Sequence, residues 1–129
     1  MSDDGLAARI EIIERGYEYL LAYAAQGRQD DAGTELRSTL TGMHAALDGI
    51  DAPLRAAFAQ LQPDAGATVF LDAVERDVRV ARGAIGIVLS RRQMASLLVD
   101  NLNASVHLRA LLTDLFLLEQ AARVPGQSS

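Results

Sequence analysis

A chain of 129 residues with a net charge of −5, half of them hydrophobic, has the length of one domain and enough apolar material for a core without staples. It contains no Cys and no Lys. That excludes thiolate nucleophiles, Cys-based zinc sites, iron–sulfur clusters, Schiff-base chemistry and the lysine of phosphate-binding loops. The acidic balance also disfavours a nucleic-acid partner, because it repels phosphate backbones.

In chain order, the first predicted helix covers 4–26. Leu6, Ile10, Ile13, Tyr17, Leu20 and Ala24 recur at steps of three and four, the spacing of one helix face. Ile12, Tyr19 and Tyr23 form a second apolar stripe, so this helix is expected to touch partners on two sides. Gly27 suits a left-handed closing position. A second helix is predicted over 31–49, with Leu36, Leu40, Met43, Leu47 and Ile50 facing inward. The short connection makes the two antiparallel neighbours. Asp51 as a cap and Pro53 in the first turn start a short third helix, with Leu54, Ala57, Phe58 and Leu61 on one face.

The fourth helix is predicted over 65–89, its inner stripe Leu71, Val74, Val78, Ala81, Ile85 and Val88. Ser90 and Gln93 match a capping box, which would start a long fifth helix over 91–123. Its stripe reads Leu97, Asn101, Ala104, Leu108, Leu111, Leu115, Leu118 and Ala122. An Asn inside an apolar seam can fix register by pairing with its counterpart, and Asn101 is given that role. The alternative is a seam shifted by one residue, with Leu102 facing in. The second half of this helix is apolar almost all round, and Leu112, Phe116 and Leu117 exceed what one packed face needs. The polar residues 125–129 are expected to be a disordered tail.

Two resemblances bear on the first hairpin. Tyr23, Gly27, Ala32, Leu36 and Leu40 are spaced as in part of a tetratricopeptide repeat. Gly16 and Leu20 stand where the repeat carries Trp and Gly, and no second copy follows, so the segment reads as a general helix–turn–helix hairpin. In texture the hairpin also resembles flagellar export chaperones, which are small acidic helical bundles, without a diagnostic motif.

Reactive constellations are scarce. A di-iron bundle needs Glu-x-x-His pairs, but Thr41 and Ala104 stand three residues before His44 and His107. No metal and no cofactor are therefore expected. On the long fifth helix Asp100 and His107 would be two turns, about 10 Å, apart, too far for an Asp to orient a His. Arg76, Arg79 and Arg82 step by three along the fourth helix. They could contact an acidic partner, or pair with Asp72, Glu75 and Asp77 on the same helix.

No run approaches the ~20 apolar residues of a bilayer span. The opening residues are acidic, unlike a secretory signal, so a cytoplasmic location is expected. The chain is thus read as a single all-α domain over 1–124, an antiparallel bundle of four longer helices and one short one, forming a homodimer. Ile12, Tyr19, Tyr23, Leu112, Phe116 and Leu117 are the expected interface. The expected role is a non-catalytic protein-interaction module that binds a partner protein, such as a helix, with neither nucleic acid nor membrane. One alternative is a carrier of a small hydrophobic ligand, held between the fourth and fifth helices near Gly83 and Gly86. Another is an enzyme using carboxylates with His44 or His107.

Overall fold

The computed structural model describes residues 2–61, 65–105 and 107–128, with side chains over 5–61, 66–105 and 107–121. All regular structure among the described residues is helical: α1 (Ser2–Ala24), α2 (Leu36–Leu47), α3 (Asp51–Phe58), α4 (Ala65–Leu89), α5 (Ser96–Ala104) and α6 (His107–Ser128).

The inward stripes hold α1 to α4 where the spacing puts them. Leu6, Ile10, Ile13 and Leu20 of α1 are buried, as are Leu36, Leu40, Met43 and Leu47 of α2. Val74, Val78, Ala81, Ile85 and Val88 of α4 are buried on a single face. α1 and α4 each pack on α2, α3, α5 and α6, while their own backbones do not approach each other. The core therefore lies between α1 and α4, walled by the other four helices. Each of these two long helices keeps one side turned outward.

Local chemistry moves several helix ends from their expected places. α2 starts at Leu36 rather than 31, because the preceding segment spends its polar groups on turns. Asp30 Oδ1 accepts from the Ala32 N–H at 3.0 Å, and Thr34 Oγ1 accepts from the Leu36 N–H at 3.3 Å. Gly27 does adopt a left-handed φ of 65°, two residues beyond the turn that closes α1 at Ala25. Asp51 is the first helical residue of α3 rather than its cap, and Ile50 holds the cap position with no side-chain bond.

The largest departure is the predicted fifth helix. Ser90 Oγ donates back to the Ile87 carbonyl at 2.6 Å, so it ends α4 instead of capping a successor. Residues 91–95 form a loop, and helix resumes only at Ser96. The helix then breaks again after Ala104, where Ser105 Oγ donates to the Leu102 carbonyl at 2.6 Å. The break has a packing reason. A continuous helix in phase with Leu108, Leu111 and Leu115 would bury Leu97, Asn101 and Ala104. The break lets α5 turn Val99 and Leu102 inward instead, leaving Leu97 70% exposed and the Asn101 amide in water. Burying an unpaired amide costs about 1–3 kcal/mol, so the shifted seam wins. Asn101 therefore lies outside the chain's own core seam.

α6 extends over the segment expected to be a disordered tail. Extending a helix already anchored by packed turns costs far less than nucleating one. Its side chains beyond 121 lie outside the described residues.

Candidate interaction surface

The loops before α2 and α5 are fastened together by polar contacts that run from buried to exposed. The Ser96 N–H donates to the Arg28 carbonyl at 2.9 Å, and the Arg28 N–H donates to Ser96 Oγ at 2.8 Å. Ser96 Oγ in turn donates to the Tyr23 carbonyl at 2.8 Å. Asp31 Oδ1 accepts from the Met94 N–H at 3.0 Å, and Arg37 donates to the carbonyls of Leu89 and Arg91 at 3.0 and 2.8 Å. Tyr23, placed in the expected interface, is instead fully buried, and its hydroxyl donates to the Met94 carbonyl. Burial pushes that phenol above its ordinary range, and the Asp31 charge adds to the shift. Leu112 is likewise buried in the chain's own core. Tyr23 leaves the candidate face because the chain at Met94–Ser96 packs over it, and Leu112 because it falls on the inward face of α6 with Leu108 and Leu115.

Ile12, Tyr19, Phe116 and Leu117 stay at the surface. Ile12 is 46% exposed and Leu117 57%. Ile12 and Tyr19 border an open groove of about 420 Å³ between α1 and α2, lined also by Arg15, Gly16, Ser38, Thr39 and Gly42. Small residues make this groove. A side chain at Gly16 would run into Met43 of α2, so only glycine lets α1 and α2 approach so closely there. Gly42, on the opposite wall, faces open space. Tyr19 stacks on Tyr23 with ring centroids 6.3 Å apart, and its hydroxyl accepts from the Glu35 N–H at 3.2 Å. The groove therefore has an apolar wall, a fixed phenol and a charged pair, Arg15–Glu11 at 2.7 Å, on its outer edge. It can accept the apolar side chains of an extended or helical segment.

A second exposed apolar stripe was not read from the sequence. On the outer side of α4, Val69, Ala73, Val80, Gly83 and Ile87 recur at steps of three and four, with Arg76 among them. Val69 is 68% exposed and Ile87 67%. The signal was available in the spacing but stood behind the stronger inner stripe of the same helix.

The arginine row is dispersed. Arg82 pairs with Asp48 at 3.3 Å, and Glu75 turns to Arg55 of α3 at 3.0 Å, so the expected pairs along α4 do not form there. Arg76 and Arg79 make no ion pair among the described residues. Burial, hydrogen bonding with Asp77 of α4 and the Asp77 charge raise Asp114 of α6 to about 7.

Asp100 and His107, too far apart to pair on one continuous helix, are not brought together by the fold either. They lie on separate helices, α5 and α6. His44 is half-buried on α2, against the α4 backbone at Gly86. Gly83 faces open space rather than a pocket between α4 and α5. Among the described residues no group of three or more His, Asp or Glu side chains is placed to hold a metal ion, and no helix is long and apolar enough to cross a membrane. A concavity of about 580 Å³ lies at Ser90–Gln93, edged by the exposed Arg91 and Arg92. Comparison of the chain with protein-family models, curated proteins and solved structures gave no match.

Proposed function

We propose that this protein is a non-catalytic protein-interaction module, an antiparallel helical bundle that associates with itself and takes an apolar segment of another protein into the α1–α2 groove. The observation that supports this is the groove itself. One wall carries a half-exposed Ile12, Gly42 leaves the opposite wall open, and Tyr19 is already fixed in place. An amphipathic helix presents apolar anchors one turn apart, which suits a trough of this shape. Two further apolar positions, Phe116 and Leu117 of α6, lie exposed outside it.

A photo-reactive amino acid at Thr39 tests the groove in the protein's native host. The reading expects one protein partner to be captured there, none to be captured from a matched probe at Arg109, and capture to be lost when Gly42→Leu fills the trough. Equal capture at both positions, or capture unaffected by Gly42→Leu, would contradict it.

A further inference from the structure

We infer that the outer face of α4 is the surface on which two copies of this chain pair, antiparallel and about a two-fold axis at the level of Val74 and Glu75. This deepens the self-association proposed above by naming its surface. The outer stripe lies opposite the buried one and runs for about 27 Å at 1.5 Å per residue, long enough for a helix–helix contact. The Asp77–Asp114 bond sets the α6 edge beside it.

Charge selects the occupant. Asp72 and Arg79 are two turns apart on the same flank of the stripe, and neither has an ion-pair partner among the described residues. A second copy running the same way would carry these residues on the other side of the seam, where Asp72 and Arg79 do not meet. The reversed copy brings Asp72 beside Arg79 of the second copy, and Arg79 beside its Asp72. In that register Val69 meets Val80 of the second copy, and the stem of Arg76 crosses over its Ala73. Gly83 carries no side chain to obstruct the approach. The strip is thus complementary to itself in shape and in charge, the requirement of an isologous contact.

Sedimentation of the full chain and its charge variants tests this. The wild type is expected to be a dimer. Asp72→Arg and Arg79→Asp each set like charges opposite one another and should weaken it about tenfold or more. The double variant should recover most of the loss. Val80→Glu, at an exposed position, should give a folded monomer by circular dichroism. A dimer indifferent to all four variants would overturn the α4 surface while leaving self-association standing. A monomeric wild type would overturn both. A monomer that loses a photo-captured foreign protein on Val80→Glu would overturn the second copy as occupant.

Discussion

Gly16 and Gly42 line one groove and respond to opposite demands. A side chain at Gly16 meets buried Met43, whereas one at Gly42 meets nothing. Overpacking a filled core costs about 1–3 kcal/mol, while replacing an exposed helical glycine with alanine gains up to about 1 kcal/mol. Gly16→Val should therefore destabilise the fold by about 2 kcal/mol, and Gly42→Ala should stabilise it by under about 1 kcal/mol. Urea titration of both variants separates them; the same sign of change in both would refute the assignment. Met43→Ala should soften the Gly16→Val penalty, since the clash is with that side chain.

Asp114 makes the second residue-scale case. Its carboxyl group titrates near 3.8 when unfolded and at about 7 in the native protein. Between those values the folded chain holds a proton that the unfolded chain has lost, so stability falls as pH rises through that window. Asp114→Asn keeps a neutral partner for Asp77 at every pH. Unfolding curves at mildly acidic and mildly alkaline pH should show wild-type stability declining with pH and the variant nearly level. A wild type that gains stability over that window would contradict the shared hydrogen bond.

Among the elements, α1 to α4 were legible because each buries a stripe with few polar interruptions. The inner face of α4, from Val74 to Val88, is the clearest case. The predicted fifth helix was not legible. Its stripe could be drawn through Leu97 and Asn101 or through Val99 and Leu102, and periodicity alone does not price the desolvation of an amide. Nor does spacing reveal that Asp31, Arg37 and Ser96 join two segments more than fifty residues apart. The candidate surface was half legible. Ile12, Tyr19, Phe116 and Leu117 were named and are partly or fully exposed, but Tyr23 and Leu112 went into the core, and the outer face of α4 was passed over. The loop clasp carries its own prediction. Tyr23→Phe removes the donor to a buried Met94 carbonyl and should cost about 1–2 kcal/mol of stability. Heat or urea denaturation measures it, and an unchanged midpoint would mean that the carbonyl has another donor.

At the scale of the whole molecule, the arrangement explains why apolar surface is left over. α1 and α4 lie on opposite sides of the core, and the four remaining helices cover only the space between them. Each long helix thus presents an outer side carrying aliphatic residues: Ile12 and Leu21 on α1, and Val69, Val80 and Ile87 on α4. A stable interface takes roughly 800 Å² from each partner, about a tenth of the 7447 Å² this chain exposes. Either side has room for such a contact.

The most direct measurement is the solution mass of the purified chain at micromolar concentration, taken for the wild type and for Val80→Glu side by side. The account expects twice 13.8 kDa for the wild type and the single-chain mass for the variant, with unchanged helix content. A wild type that sediments as a stable, well-folded single chain would contradict it.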